Sequence, residues 1–352
     1  MNFELLKAVC EAPGIASRED VVRRVIVRAM TPLVDTVNID TMGNVIGFKK
    51  GSGTGPKVMM AAHMDEIGFV VRHVDDRGFI RLQPLGGFDA RVLVAQRVLV
   101  HGFAGQTLRG VLQPRVKPTH QLSDADKAKG VSLEDLFVDL GLSADEVRRQ
   151  VELGDPVTMD RTCERIGSRV ISKSLDDRLL VYVMLEALRD LNEHACDIYA
   201  VATVQEEIGL RGAGPAAFAI QPDVAIALDV TISGDIPGST PESQVTQLGA
   251  GPAIKIMDSS LVCHPKLVRH FRDVAEEHGF PYQLEILDRG GTDAGAIQRS
   301  RGGVPSFTLS VPTRYIHTVN EMADVNDIQS TVSLLARWLE ACHTRKYGVG
   351  DS

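Results

Sequence analysis

The sequence is poor in aromatic residues and has no excess of positive charge. Its 352 residues include one Trp, five Tyr and eleven Phe, and 38 Lys and Arg stand against 46 Asp and Glu, a formal net charge of −8. Proteins that bind nucleic acid usually present a basic surface, and those that bind single strands also stack bases on aromatic side chains. The composition therefore argues against nucleic acid as a partner.

Cysteine pairs and long apolar runs are also missing. The five cysteines are widely separated and form no Cys-x-x-Cys pair, which argues against a disulfide framework and against a thiolate zinc site. No apolar run approaches the roughly 18 residues of a membrane span, and the first residues lack the charged and apolar regions of a signal peptide. We therefore expect a cytoplasmic protein with reduced cysteines and no membrane partner.

Short apolar runs alternate with helical patterns over most of the chain. The runs at 58–62, 198–204, 224–228 and 307–311 predict buried strands, and the spacing of apolar residues predicts helices over 18–30, 178–192, 265–279 and 327–341. Strands that are apolar throughout and alternate with helices are typical of an α/β domain. We predict a mixed, mostly parallel sheet sandwiched by helices.

A different pattern fills the region from 67 to 160. Short runs at 70–74, 79–82, 97–102 and 107–112 are separated by Gly and Asp, which predicts a small β-barrel or sandwich. The segment 122–151 is polar, and we expect it to be mobile with one helix over 143–150. The sequence thus predicts a discontinuous α/β domain, 1–66 and 161–352, with a β-rich domain inserted at 67–160.

Metal-binding side chains follow the predicted core strands. In open α/β sheets, ligands bind at the carboxyl ends of the strands, so these side chains should converge on one rim. Each feature has a simpler explanation: an Asp pair can cap a helix, adjacent Glu residues can lie in a solvated loop, and a single Asp or His can be structural. The candidates are His63, Asp65, Asp176, Glu206, Glu207, Asp229 and His317.

Taken together, these residues indicate a pair of divalent cations. Crowded carboxylates repel one another, and two ions of total charge +4 would balance Asp176, Glu207, Asp229 and one hydroxide. The His and carboxylate ligands favour zinc, with cobalt or manganese as alternatives. A bridging water activated by the ions needs a base, and Glu206 is the economical choice. Asp65 could accept the ring N–H of His63.

Six stretches give the chain a family resemblance. They lie at 61–68, 173–178, 204–213, 227–231, 290–296 and 312–318, in the same order as in the family. The chain resembles the metallopeptidase family M42 of dinuclear zinc exopeptidases, which includes glutamyl aminopeptidases and tetrahedral (TET) aminopeptidases. The resemblance implies a zinc-exopeptidase fold of the phosphorylase/hydrolase-like type. It also implies that the insert is a dimerisation domain and that dimers build a hollow tetrahedral dodecamer.

The same resemblance assigns the ligands. One zinc would be held by His63 and Asp229, the other by Glu207 and His317, with Asp176 bridging them. Glu206 would be the catalytic base and Asp65 would orient His63. The expected activity is removal of amino-terminal residues from peptides with a free amino terminus.

Other functions stay open on the sequence alone. Another two-metal amide hydrolase, such as a deacylase or carboxypeptidase, or a glycoside hydrolase could share the scaffold, and a non-catalytic assembly protein could keep a relic site. The Gly290–Gly291 pair lacks the Lys of a P-loop and is better interpreted as a turn lining the cleft. Side-chain preference also stays open: a cavity for Glu or Asp should display a cation, with Arg289 and Arg314 as candidates.

Overall fold

The computed structural model describes residues 1–115, 121, 123–124 and 130–348. The amino-terminal part contributes two helices and the first three strands of a large sheet. Asn2 caps the first helix with its side chain, which accepts a hydrogen bond from the backbone N–H of Leu5 at 3.2 Å. The elements are α1 (Phe3–Glu11), α2 (Asp20–Met30), β1 (Thr36–Ile39), β2 (Val45–Lys49) and β3 (Lys57–His63).

A closed barrel follows directly after β3. Its six strands pair antiparallel, in the order β4-β5-β8-β7-β6-β9. Among the described residues of its connections are two short helices. The elements are β4 (Gly68–Val74), β5 (Ile80–Leu85), α3 (Ala90–Leu93), β6 (Arg97–His101), β7 (Thr107–Pro114), β8 (Leu136–Asp139), α4 (Ala144–Arg148) and β9 (Pro156–Met159).

The remaining chain completes the large sheet and its helices. Short 3-10 turns also occur at Thr31–Leu33, Leu133–Asp135, Pro241–Ser243 and Cys342–Thr344. The elements are β10 (Glu164–Ile166), β11 (Arg169–Ser172), α5 (Leu175–Asp190), β12 (Asp197–Thr203), α6 (Ala213–Ile220), β13 (Val224–Ile232), β14 (Ala253–Met257), α7 (Pro265–His278), β15 (Gln283–Ile286), α8 (Asp293–Gln298), β16 (Ser306–Arg314), β17 (Glu321–Asp324) and α9 (Val325–Ala341).

The sheet is parallel at its centre and antiparallel at its flanks. Its order is β1-β2-β12-β3-β13-β16-β17-β11-β10, with β14 and β15 beside β16. The four central strands β12, β3, β13 and β16 are parallel, so their carboxyl ends lie at the same edge. The predicted α/β class, with a mixed sheet and an inserted small barrel, is confirmed. Parallel pairing is concentrated in the four strands that the apolar runs had indicated.

Strand β3 shows why these central runs are apolar throughout. Its side chains alternate between two buried layers: Val58, Met60 and Ala62 pack in the cluster that contains α1, α2, α5 and α9. Met59 and Ala61 point to the other face, where they pack against α6 and α8. Because helices cover both faces, neither face needs polar side chains. The four predicted helices are confirmed, each within three residues at either end.

The barrel has a core of its own. Val98 and Val100 of β6 and Leu136 and Val138 of β8 point inward, at the two-residue spacing of a strand. Strand β8 falls in the polar segment that was expected to be mobile, because four residues are too few for a clear alternation. The predicted helix at 143–150 is present as α4, and 122 and 125–129 of that segment lie outside the described residues. Within the described ranges, no helix combines the length and the apolar character needed to cross a bilayer.

Candidate metal centre and active site

The predicted ligands meet at the carboxyl edge of the central strands. His63 is the last residue of β3 and pairs in register with Thr203, the last residue of β12. Glu206 and Glu207 follow β12 in a turn, and Asp229 lies in β13. Parallel pairing therefore brings together side chains that are more than 100 residues apart in sequence.

Asp176 lies between the two histidines. Its Oδ1 is 3.0 Å from Nε2 of His63, and its Oδ2 is 3.3 Å from Nε2 of His317. The same nitrogen of His317 is 3.3 Å from Oε2 of Glu207. A carboxylate whose two oxygens face two different histidines has the arrangement that a ligand bridging two ions requires.

Two overlapping groups of donor atoms could hold cations. His63, Asp176 and Glu207 form one, and His63, Asp177 and Asp229 form the other, with all donor atoms of a group within 4.8 Å of one another. Oδ1 of Asp177 and Oε1 of Glu207 are buried and have no hydrogen-bond partner among the described residues. Buried carboxylate oxygens without partners fit a site built for a cation.

The electrostatics of the cluster support the same fit. Burial would lower the pKa of His317, but the carboxylates of Asp176 and Glu207 raise it to about 11. Burial opposes the charge of His63 as well, yet Glu206, Asp176 and Asp65 raise its pKa well above the usual range. Burial and the nearby Asp176 raise the pKa of Asp229. Protons on the histidines thus supply positive charge that a bound divalent cation would replace.

Asp65 organises the turn that carries the two glutamates. Its two carboxylate oxygens accept the backbone N–H groups of Glu206, at 3.0 Å, and Glu207, at 3.1 Å. Nδ1 of His63 is 3.0 Å from the backbone carbonyl of Asp65 and 3.5 Å from its carboxylate. Because β12 ends at Thr203, the two glutamates lie beyond the strand, and the hydrogen bonds to Asp65 account for the orientation of the turn.

Glu321 and Asp293 are buried carboxylates that were not among the residues predicted from the sequence. Glu321 accepts the backbone N–H of Asp176 with Oε2, at 3.0 Å, and that of His317 with Oε1, at 2.8 Å. Asp293 accepts a hydrogen bond from the hydroxyl of Thr203, and burial raises its pKa to about 6. Glu321 follows His317 by four residues, and Asp293 follows the Gly290–Gly291 pair, but neither spacing distinguishes them from surface acids.

A buried ion cluster supports the turn that leads to Asp176. Glu66 accepts hydrogen bonds from Nζ of Lys173 at 2.6 Å and from the hydroxyl of Ser174 at 2.7 Å. The guanidinium of Arg178 lies 3.7 Å from the other oxygen of Glu66 and donates to the backbone carbonyls of Val9 and Ala12. The cluster joins the amino-terminal segment, the end of β3 and the start of α5.

The barrel also reaches the site, through Gly86 and Gly87 at the end of β5. Gly86 has a φ of +89°, and a Cβ there would lie 2.5 Å from the side chain of Ile67 and 3.4 Å from Oε2 of Glu207. A Cβ at Gly87 would lie 3.2 Å from Nδ1 of His317. A side chain at Gly86 would therefore clash and be strained, whereas one at Gly87 would require the ring of His317 to move by a few tenths of an ångström.

A cavity of about 660 Å³ opens over the cluster. His63, Asp176, Glu206, Glu207, Asp229 and His317 form one end, and Gly290 and Gly291 line it as expected. Arg289 also lines the cavity. The other candidate cation, Arg314, does not line it and forms an ion pair with Asp235 at 2.6 Å.

Comparison with known proteins agrees with this geometry. The profile of the M42 glutamyl aminopeptidases matches residues 43–334. The chain belongs to this family. The family resemblance predicted from the sequence is thereby confirmed, and members of the M42 family are peptide-bond hydrolases that depend on a divalent metal.

Individual M42 relatives are similar over nearly the full length. A lysyl aminopeptidase of Pyrococcus furiosus is 38% identical, covering 97% of each chain. The structure of an aminopeptidase from the archaeon Desulfurococcus kamchatkensis superposes with a TM-score of 0.91 at 42% identity, covering 96% of this chain and 94% of that one. The structure of the Pyrococcus horikoshii TET1 peptidase superposes with a TM-score of 0.83 at 31% identity, covering 96% of this chain and 98% of that one. That peptidase can assemble into a tetrahedron or a large octahedral shell.

Proposed function

We propose that this M42 protein is an aminopeptidase that uses two divalent ions and Glu206 to remove amino-terminal residues from peptides. The observation that carries the proposal is the position of Asp176, whose two oxygens face His63 and His317 at 3.0 and 3.3 Å. The cavity beside this arrangement is large enough for a peptide end.

The ligand assignment is the one that the family resemblance implies, and these contacts support it. His63 and Asp229 would hold one ion, and Glu207 and His317 would hold the other. Asp176 would bind both ions. Zinc suits this donor set best, and cobalt or manganese could also bind. When bound, such ions lower the pKa of a water molecule and polarise the scissile carbonyl.

Glu206 is the proposed general base. Its carboxylate lines the cavity, and its Oε2 lies 3.9 Å from Nε2 of His63. Its backbone N–H donates a hydrogen bond to Asp65, which also contacts His63. Asp65 therefore positions both the proposed base and a proposed metal ligand. Glu206 would take a proton from the attacking water and pass it to the leaving amine.

We also propose the larger arrangement that the family suggests. The segment 67–160, which contains the barrel strands, would mediate dimerisation, and dimers would build a dodecamer like that of TET peptidases. The predicted cytoplasmic location suits the five buried, unpaired cysteines.

Replacing Glu206 by Gln tests the mechanism. The variant should still bind two zinc ions per subunit, while kcat on aminoacyl amides falls by about 10² or more because the base is lost. Glu207→Gln provides the matched control, since it should lose metal as well as activity. Near-full activity of Glu206→Gln would remove Glu206 from its role.

A substrate panel tests the reaction class. An aminopeptidase should cleave peptides with a free amino terminus and fail on the same peptides carrying an N-acetyl group. Equal cleavage of both sets would favour a deacylase or another amide hydrolase. Release of carboxyl-terminal residues would favour a carboxypeptidase, and no hydrolysis with metal bound would favour a relic site.

A further inference from the structure

The part of β13 that carries Asp229 is paired with a strand on one side only. Strand β3 pairs with β13 from Val224 to Ala227, whereas β16 pairs with it as far as Ile232. Among the strands that the structure describes, residues 228–232 therefore pair with β16 alone. A metal ligand in such a segment needs further support from side chains if it is to keep a fixed position.

Thr231 links this segment to a side chain of β15. It lies two residues after Asp229, so both side chains point to the same face of the strand, and both line the cavity over the metal centre. The hydroxyl of Thr231 donates a hydrogen bond of 2.6 Å to Oε1 of Glu285, and both residues are fully buried. A shift of the segment that moved Asp229 would therefore break a hydrogen bond that water cannot replace.

Glu285 is held in turn by a buried cation. Nζ of Lys255, on the neighbouring strand β14, contacts the same oxygen of Glu285, and Lys255 is also fully buried. The carboxylate of Asp258 lies further from this Nζ, at 4.0 Å, and accepts hydrogen bonds from the backbone N–H and the hydroxyl of Ser260. One oxygen of Glu285 thus carries both the ion pair and the link to β13.

A buried ion pair of this kind is a weak source of stability for the fold. Removing two charges from water costs free energy that their attraction repays only in part, and apolar residues of similar volume often serve a buried site as well or better. Apolar residues at Lys255 and Glu285 would, however, leave the hydroxyl of Thr231 without its acceptor. The pair therefore supplies something that apolar packing cannot, a fixed acceptor beside the metal centre.

We propose that Glu285 is a positioning residue of the metal centre, which fixes Asp229 through the hydroxyl of Thr231, and that Lys255 is its counter-ion. The proposal rests on the proposed two-metal site, in which Asp229 is a ligand. Glu285 and Lys255 are not among the residues that line the cavity, so they affect the reaction only through this link.

Two double variants separate the acceptor from the charge. Lys255→Met with Glu285→Leu removes both charges and the acceptor, whereas Lys255→Met with Glu285→Gln removes the charges and keeps an amide oxygen for Thr231. Both should unfold at a denaturant concentration close to that of the wild type, because no unpaired charge stays buried. In zinc titrations of the metal-free proteins, one of the two sites should be weakened by about tenfold or more in the Leu variant, and should stay within about threefold of the wild type in the Gln variant.

Thr231→Val tests the same link while the ion pair stays in place. It should weaken the same zinc site by about tenfold, with kcat on aminoacyl amides reduced more than KM. Thr331→Val is the matched control, because Thr331 is also fully buried and donates its hydroxyl hydrogen bond, at 2.7 Å, to the backbone carbonyl of Asp327. Thr331 lies on α9, outside the lining of the cavity, so both zinc affinities and the kinetic constants should equal those of the wild type.

Unchanged zinc affinities in Thr231→Val would overturn the proposal, as would equal affinities in the two double variants. A similar loss in Thr331→Val would assign the effect to any buried hydroxyl and would equally overturn it. If the Leu double variant did not fold, the comparison of Thr231→Val with Thr331→Val would decide alone. A wild type that bound fewer than two zinc ions, or hydrolysed no peptide with a free amino terminus, would contradict the proposed function itself. That result is distinct from two tight zinc sites that do not respond to Thr231→Val.

Discussion

The carboxylate of Glu321 accepts the backbone N–H of Asp176 at 3.0 Å, so a buried acid fixes the residue that faces both histidines. Its other oxygen accepts the backbone N–H of His317 at 2.8 Å. Glu321 therefore holds a proposed ligand of both ions and a proposed ligand of the second ion through their main chain. It acts as a positioning residue, since it contacts neither side-chain donor.

We expect Glu321→Gln to weaken metal binding without unfolding the protein. A Gln side chain offers one acceptor oxygen, so one of the two backbone N–H groups loses its partner. Zinc titration of the metal-free variant should show one of two sites weakened by about 10- to 100-fold, with kcat reduced more than KM. Glu193→Gln, at an exposed position, is the control. Two unchanged zinc affinities would contradict this role.

The ion cluster at Glu66 should be important for stability. Glu66→Gln leaves Lys173 and Arg178 buried without their anion, and breaking a buried pair in this way costs about 3–5 kcal/mol. Denaturant unfolding should show this loss, whereas Glu276→Gln, which removes an exposed pair with Arg272, should cost less than about 1 kcal/mol. Similar losses in both variants would show that the buried cluster has no special role.

Neutralising Asp229 should change the thermal stability of the protein in opposite directions with and without bound metal. In the metal-free protein its carboxylate is buried near Asp176, and His63 and Lys255 offset the repulsion only in part. Asp229→Asn should therefore raise the thermal midpoint of chelator-treated protein by a few degrees and lower that of zinc-loaded protein. A shift of the same sign in both forms would contradict a cation site at Asp229.

His270 should make the protein less stable in acid. Burial and the nearby Arg345 lower its pKa to about 4, and its Nδ1 lies 2.7 Å from the hydroxyl of Tyr347. The unfolded chain, with a His pKa of about 6.5, binds the proton more readily. The contribution of His270 to the free energy of unfolding is therefore fully present above about pH 6.5 and is lost as the pH falls towards 4.

The variant His270→Phe isolates this effect. Between pH 6.5 and 4 the wild type should lose of the order of 1–3 kcal/mol more than the variant, at about 1.4 kcal/mol per pKa unit. The difference between their unfolding free energies, measured by denaturant titration at each pH, gives the contribution of His270. A difference that does not change with pH would contradict the assignment.

The sequence predicted the central strands and the rim because both depend on local patterns. Val58–Ala62 is apolar on both faces only where helices cover both faces, and parallel pairing then places His63 beside the end of β12. Seven side chains were expected at one edge, and the structure brings them together there. Their roles as ligands and base remain predictions.

The parts that could not be predicted depend on contacts distant in sequence. Glu321 and Asp293 differ from surface acids only through the groups that they contact, Asp176 and Thr203. Strand β8 is short and gains its stability from pairing with β7 and β5. The pairing of Arg314 with Asp235, outside the lining of the cavity, likewise follows from the tertiary structure.

Gly86 and Gly87 bring the barrel close to the metal centre, so the sequence of the barrel cannot change independently of the α/β domain at this turn. A barrel transplanted from a relative would have to keep a glycine at position 86, where a Cβ would lie 2.5 Å from Ile67, and any side chain at position 87 would have to displace the ring of His317 slightly. The inserted barrel is therefore not a freely exchangeable module. Its sequence at this one turn is constrained by the ligand that it touches.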